Sequence, residues 1–307
     1  MITYLECEKG FSEIGEWHPG CWVNVVEPDR DDLAVLISRF GVPEDFINDV
    51  SDIDERPRLE HSANWIFTIL RIPVTCTDRE IPFMTIPLGI LVNGDYIITI
   101  CNYPSFLITD FINHTQKRSL DILTAPDFIL RLINSCAYWF LRHLKDVHNT
   151  VAAAEKELQQ SIRNEDLFKL MNLQKSLVIF AASISGNNLL LERMNRVFGN
   201  TFDRELFDDV SIEMRQADTT TAIAIQMLDR TLDTYASVIS NNVNAIMKRL
   251  TSISLILMIP TLIASFYGMN VDVGISPTSP WAFPAIIGVG FALSLITTLW
   301  LRQIKWL

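Results

Sequence analysis

Eight residues in the C-terminal part of the chain recur at three- and four-residue spacing: Asn244, Met247, Thr251, Ser254, Met258, Thr261, Ser265 and Gly268. All are polar, small or thioether, and the positions between them are mostly Ile, Leu, Ala and Phe. That spacing sets them along one stripe of an α-helix. Uncharged amide and hydroxyl oxygens on such a stripe can touch the water shell of a cation without burying a fixed charge. The same residue types also let helices pack closely inside a lipid bilayer, and the stripe alone leaves both readings open.

The element that carries the stripe belongs to a block unlike the rest of the chain. From Leu250 to Leu301 there is one charge, Asp272. With 49% apolar residues over 307 positions, the chain is too apolar for a purely soluble protein, yet only this block is long enough to cross a membrane. It divides into two spans, 250–267 and 281–301, each near the ~20 residues that cross ~30 Å of hydrocarbon as a helix. Between them, 268–280 is rich in Gly, Pro and Ser and reads as a loop. Lys248 and Arg249 precede the first span, and Arg302 and Lys305 follow the second. The excess of cations at both ends places both termini in the cytoplasm and the loop outside. Trp281, Trp300 and Trp306 fall near the expected interfaces. Two spans cannot enclose a water-filled path, so a pore requires several copies around an axis. Pro260 interrupts the first span, and the backbone group it frees needs a partner from a neighbour.

Outside the block the chain is acidic. Setting aside the four flanking cations and Asp272 leaves 21 of the 25 cations and 35 of the 36 acids. Such a surface is a poor nucleic-acid binder, because phosphate contacts need Lys and Arg. It can host divalent cations, although most acids on such a surface serve solubility. Cys7, Cys21, Cys76, Cys101 and Cys136 are odd in number and dispersed, which fits reduced thiols in the cytosol. The start, MITYLECEKG, has no basic segment leading into an apolar one, so no cleaved signal peptide is expected. No phosphate-binding glycine loop, nucleophile elbow or zinc-protease helix occurs, and His18, His61, His114, His143 and His148 form no ligand pair. The chain therefore reads as a non-enzyme without a cofactor.

The upstream elements follow from periodicity. Segments 21–26, 65–74, 84–91 and 96–100 are strand-like, with Asn93-Gly94-Asp95 a turn, and 31–40 is a short amphipathic helix. Residues 1–120 thus read as an α/β domain. Segments 126–163 and 166–198 read as two helices of a hairpin within 121–200, closed by Gly199-Asn200. From Thr201 to Ile259 there is neither Pro nor Gly, and apolar residues recur from Leu206 to Ile239. One helix is expected from a stalk, 201–249, into the first span, roughly 95 Å long at 1.5 Å per residue. Residues 302–307 remain as a tail.

The first span ends Tyr267-Gly268-Met269-Asn270, and Ser240-Asn241-Asn242-Val243-Asn244-Ala245-Ile246-Met247-Lys248 leads into it. With two terminal spans after a long acidic region and an ending Lys305-Trp306-Leu307, the chain resembles the CorA family of divalent-cation channels, whose signature is Gly-Met-Asn at this position. Arg56-Pro57-Arg58-Leu59-Glu60 resembles a segment of the family's N-terminal domain. The resemblance implies a homo-oligomeric, pentameric funnel in the inner or plasma membrane. It carries Mg²⁺ inward, with Gly268, Met269 and Asn270 as the selectivity filter. Asn244, Met247, Leu250, Thr251, Ser254, Met258, Thr261 and Ser265 would line the pore. Met247, Leu250 and Met258 are then apolar constrictions, although methionines at such positions also serve as core packing. Mg²⁺ sheds its water reluctantly, and a ring of Asn270 carboxamides presents oxygens to that water.

In the family, cytosolic Mg²⁺ bridges acids of neighbouring subunits and holds the channel shut. The matching residues here are Asp49 and Asp209, with Asp208 and the acids around Asp49 as competitors. Two features depart from the family. The outer loop has one acid, Asp272, where many members carry an acidic segment, and the tail Arg302-Gln303-Ile304-Lys305 is a weak basic collar. These departures admit a Zn²⁺, Co²⁺ or Ni²⁺ transporter of the same fold, proton-coupled in the zinc branch. A membrane-anchored sensor without transport is the reading from another class; it requires a signalling domain in the first 240 residues, and none is recognisable there.

Overall fold

The structure is a computed structural model that describes residues 1–62, 64–76, 80–94, 96–122, 124–158, 164–199, 201, 203–269, 280–304 and 306. The chain forms two compact units, Met1–Leu232 and Asp233–Leu307. The division falls inside the segment expected as a stalk, 201–249.

The first unit is built on a mixed seven-stranded sheet. The strands are β1 (Ile2–Cys7), β2 (Phe11–Ile14), β3 (Trp22–Val26), β4 (Arg58–Ser62), β5 (Trp65–Thr75), β6 (Phe83–Asn93) and β7 (Tyr96–Cys101). Their order is β2-β1-β3-β7-β6-β5-β4, with β3 and β7 parallel and every other pair antiparallel. β5 and β6 are buried along nearly their whole length. Their unbroken apolar runs therefore reflect a sheet covered on both faces rather than one with a wet side.

Alternation along β3 and β7 assigns the two layers. Val23, Val25, Ile98 and Ile100 join the core formed with α1 (Arg30–Phe40) and α2 (Glu44–Ser51). Trp22 and Thr99 point the other way: Trp22 meets Phe11, Phe111 and Phe128, and its indole N–H donates to the Thr99 hydroxyl at 2.8 Å. That layer holds α3 (Phe106–Arg118), α4 (Ala125–Leu158) and α5 (Asn164–Phe198). α1 starts at Asp29, which caps it in a reciprocal box with Asp32, and ends at Gly41 in the left-handed conformation. α2 lies so close to β6 that a Cβ on Gly89 would come within 2.4 Å of the Val50 side chain.

The expected strands and the helix at 31–40 are present as β3, β5, β6, β7 and α1, and the expected hairpin helices are α4 and α5. The turn residue Asp95 and the cap residue Asn200 lie outside the described residues. Strands β1, β2 and β4 and helices α2 and α3 were not anticipated. Cys7, Cys21, Cys101 and Cys136 are in no disulfide.

The last long helices are α6 (Arg204–Tyr267), one element across the segment without breakers, and α7 (Ala282–Gln303). Among the described residues three helices are long and apolar enough to cross a membrane, α5, α6 and α7, one more than the sequence suggested. α5 turns one apolar face to the sheet: Leu177, Phe180 and Ile184 are fully buried, and Asn187 brackets the backbone of Arg71 on β5, accepting from its N–H at 3.0 Å and donating to its carbonyl at 2.8 Å. The second unit instead leaves large apolar side chains such as Leu257, Leu262, Phe291 and Leu295 exposed. An apolar surface of this extent needs lipid or protein against it.

Candidate ion pathway and candidate cation site

In the second unit α6 and α7 pack through a narrow face. Between Asn241 and Tyr267 of α6 the residues that are not exposed are Ser252, Ile256, Ile259, Pro260, Ile263 and Tyr267, an i, i+4, i+7 series. Opposite them on α7 are Gly290, Ser294 and Leu301, all buried. Pro260 has no N–H, so the carbonyl of Ile256 four residues earlier loses its helical partner. Ser294 replaces it, its hydroxyl donating to that carbonyl at 3.3 Å. Gly290, one turn away, faces Pro260: a Cβ there would stand 3.7 Å from the proline, in ordinary van der Waals contact. The Ser252 hydroxyl donates to the carbonyl of Trp306 at 3.4 Å, tying the chain end to α6.

The stripe of polar and thioether residues occupies the other side. At 3.6 residues per turn its centre lies roughly 180° around α6 from Ile256 and Pro260. Asn244, Met247, Leu250, Thr251, Ser254, Met258, Thr261, Ser265, Gly268 and Met269 are all exposed. The hydroxyls of Ser254 and Thr261 donate to the carbonyls of Leu250 and Leu257, both at 2.9 Å. With its proton spent on the backbone, such an oxygen faces outward as an acceptor, which is what the water protons around a cation require. At the N-terminal end of the stripe, Asn244, Met247, Lys248, Arg249, Thr251 and Trp306 surround a hollow of about 610 Å³. At the other end the helix closes with the Gly268 N–H on the Ala264 carbonyl at 3.0 Å and that of Met269 on Phe266 at 3.3 Å. Asn270, the third filter residue, lies outside the described residues, as do Asp272 and Lys305.

The second candidate site is in the first unit. Asp49, near the end of α2, is held by Arg58 at the start of β4, with Nη2 2.6 Å from Oδ2. The same guanidinium bonds Glu55, and its Nε reaches Glu60 at 2.9 Å. Three carboxylates thus share one cation. The loop between α2 and β4 is fixed from below by Arg71, which donates to the carbonyls of Ile53 and Glu55 and, at 2.8 Å, to that of Thr85. Burial lowers the pKa of Arg71, and the nearby Asp54, Asp52 and Glu55 oppose that. Pro57 in this loop abuts α5, where a Cβ on Gly186 would fall 2.8 Å from its ring. That contact gives the Arg56-Pro57-Arg58 segment a packing role.

Asp209 stands exposed in the second turn of α6, as does its neighbour Asp208. Among the described residues no group of three or more His, Cys, Asp or Glu side chains is gathered as a metal cage. Arg58 and Arg71 are the residues sequence reasoning missed. The signal for Arg58 was its place two residues before Glu60 and three after Glu55, and for Arg71 a charge inside an apolar strand.

An α/β unit followed by helices with the dimensions and composition of membrane spans is the plan of a membrane-anchored protein, and comparison specifies its family. The family described as CorA-like Mg²⁺ transporter protein matches residues 19–303, and the chain belongs to that family. It is 24% identical over 292 residues to the cobalt/magnesium transport protein CorA of Methanocaldococcus jannaschii, covering 93% of this chain and 91% of that one. The complete structure of the M. jannaschii CorA magnesium transporter is similar with a TM-score of 0.84 at 21% identity, over 100% of this chain and 99% of that one. The cytoplasmic domain of ZntB from Vibrio parahaemolyticus is similar with a TM-score of 0.62 at 11% identity, over 78% of this chain and 98% of that one. These likenesses agree in fold.

Proposed function

We propose that this protein is a Mg²⁺-selective channel that lets the ion enter down its electrochemical gradient. Identical subunits, five in number, surround an axis in the inner or plasma membrane, with both termini in the cytoplasm. Two helices per chain cannot close a water-filled path, and one copy of the stripe contributes only a wall. The observation that carries the reading is the position of that stripe on α6. α7 occupies the Ser252–Ile256–Pro260 face, and Asn244, Thr251, Ser254, Thr261 and Ser265 remain exposed on the opposite one.

Copies of α6 that meet along this face put neutral oxygens around the axis and leave α7 toward lipid. Neutral oxygens suit an ion that keeps its hydration shell, whereas a ring of carboxylates would hold it too long. Met247, Leu250 and Met258 narrow the path with apolar side chains that can exclude water. Gly268, Met269 and Asn270 form the filter at the outer mouth. A divalent ion crossing ~100 mV gains roughly 4.6 kcal/mol, so no chemical fuel is required. Regulation falls to Asp49 of one subunit and Asp209 of its neighbour, whose carboxylates repel until cytosolic Mg²⁺ bridges them.

The relative from M. jannaschii is named for cobalt as well as magnesium, which supports a site that selects divalent ions by hydration rather than by soft ligands. The single acid of the outer loop and the short basic tail favour one second reading, transport of Zn²⁺, Co²⁺ or Ni²⁺ by the same path. Purified protein in liposomes with a trapped Mg²⁺-sensitive dye tests the proposal. Saturable Mg²⁺ entry driven by a potential is expected, with Zn²⁺ competing weakly whether or not a pH gradient is imposed. No Mg²⁺ entry by an intact assembly overturns the channel and leaves a sensor. Zn²⁺ entry that needs the pH gradient moves the cargo to the second reading.

A further inference from the structure

The hollow of about 610 Å³ in the second unit is lined by two cations and an aromatic ring, Lys248, Arg249 and Trp306. Lys248 and Arg249 are exposed, and no ion pair among the described residues includes either of them. The sequence around them offers no counter-ion. From Thr234 to Leu307 the one acid is Asp272, beyond the far end of the first span. Going back along α6, the nearest acid is Asp233, 15 residues before Lys248 and so roughly 22 Å away along the axis. Trp306 is fixed at this place: its N–H donates to the Leu301 carbonyl at 3.0 Å, and its own carbonyl accepts from Ser252 at 3.4 Å. Tryptophan is enriched where hydrocarbon gives way to headgroups.

Helical geometry shows where the hollow leads. Lys248 lies about 80° around α6 from Ile256, between the face that meets α7 and the centre of the polar stripe. Leu255 and Leu262 follow it seven and fourteen residues later, within about 40° of the same direction. Both are exposed. Cations at the water boundary therefore continue into an apolar track on the hydrocarbon side. That is the complement of an amphiphile with an anionic head, and basic pockets between membrane helices on the cytoplasmic side take such headgroups. A soluble anion would satisfy the cations and leave Leu255 and Leu262 bare.

We propose that the hollow holds the headgroup of an anionic phospholipid of the cytoplasmic leaflet, with its phosphate on Lys248 and Arg249 and one acyl chain along Leu255 and Leu262. The inference rests on the membrane topology given above and not on which ion passes.

The test uses the full chain in a neutral detergent, titrated with phosphatidylglycerol or with phosphatidylcholine of the same acyl chains, the adducts being counted by native mass spectrometry. Saturable binding of one phosphatidylglycerol per chain is expected, with phosphatidylcholine about tenfold weaker, because its headgroup has no net charge. The double variant Lys248→Gln, Arg249→Gln should bind phosphatidylglycerol roughly thirtyfold more weakly, the combined contribution of two cations toward an anionic lipid. Arg302 is an exposed cation near the same boundary that does not line the hollow, and Arg302→Gln should keep the native affinity. Glycerol phosphate, which has the phosphate without the tails, should not displace the lipid. Equal binding of the two lipids, or equal losses in Arg302→Gln and the double variant, overturns the site and leaves general surface charge. Displacement by glycerol phosphate overturns the lipid as occupant and leaves a soluble phosphate. Absence of a saturable adduct on the native protein overturns the site and leaves this flank of α6 to a neighbouring copy. The comparison of the two lipids on the native protein stands even where the double variant does not assemble.

Discussion

The hydroxyl of Ser294 donates to the carbonyl of Ile256 at 3.3 Å, and Ile256 is the residue whose helical bond Pro260 abolishes. A carbonyl stranded in hydrocarbon costs several kcal/mol, and a helix from the same chain supplies the missing proton. The bond also fixes which face of α6 looks toward α7, and so which face stays open.

Ser294→Ala should lower the unfolding free energy of the protein by about 0.5–1 kcal/mol, the range for hydrogen bonds between membrane helices. In a Pro260→Ala background the backbone N–H returns and the same change should cost close to nothing. A double-mutant cycle measured by thermal unfolding in detergent checks this. Additive losses would mean that the serine does not serve the proline-freed carbonyl.

Asn270→Ala should abolish selective Mg²⁺ flux in liposomes and leave the oligomer intact by size-exclusion chromatography. In the proposed filter the carboxamide would supply an acceptor oxygen to the ion's water shell, and a methyl group supplies none. An unchanged order of preference among Mg²⁺, Co²⁺, Ni²⁺ and Zn²⁺ would remove Asn270 from the filter.

Asp209→Ala should leave the channel less inhibited by cytosolic Mg²⁺. Arg58→Gln should act in the opposite direction, because the guanidinium 2.6 Å from Asp49 competes with any cation for that carboxylate. The pair is partly exposed, so the half-inhibitory Mg²⁺ concentration should fall only about two- to fivefold. Inhibition curves from flux recorded over a Mg²⁺ series decide both. A shift of the same sign in the two variants would place Asp49 outside the regulatory site.

The neutral His143 should make the first unit acid-sensitive. Desolvation by burial lowers its pKa to about 4; Asp146 opposes this and Arg142 adds to it, while Phe83 of β6 and Phe180 of α5 meet the ring without charge. Below pH 6.5 the unfolded chain takes up a proton at this histidine that the folded chain refuses. Stability is therefore lost as pH falls from about 6.5 to 4, on the order of 3 kcal/mol, and is flat for this group below that. The difference in melting temperature between native protein and His143→Phe should widen in favour of the variant over that window. A constant difference would show that the ring is solvated.

Much of the fold was legible because its signals are local. The alternating or continuous apolar runs of β3, β5, β6 and β7 announce strands whatever they pair with, and the breaker-free stretch before Pro260 announces one long helix. β1, β2 and β4 escaped notice because they are short or polar and become strands only through their pairing partners. α5 shows the converse: its composition would suit a membrane, and only its packing on the sheet reveals where its apolar residues go. The stripe on α6 was visible as a period, because a helix repeats faithfully over its length.

The sequence by itself determined the period and chemistry of that stripe, the acidity of the N-terminal part and the Gly268-Met269-Asn270 signature, since these depend on residue order alone. Tertiary structure decided that Ile256 and Pro260 face α7, that Arg58 sits on Asp49, and that His143 on α4 is buried with no hydrogen-bond partner for its Nδ1 among the described residues. Each of these joins residues distant in the chain or sets one face of a helix against another. Periodicity says which residues share a face, and only packing says what that face meets.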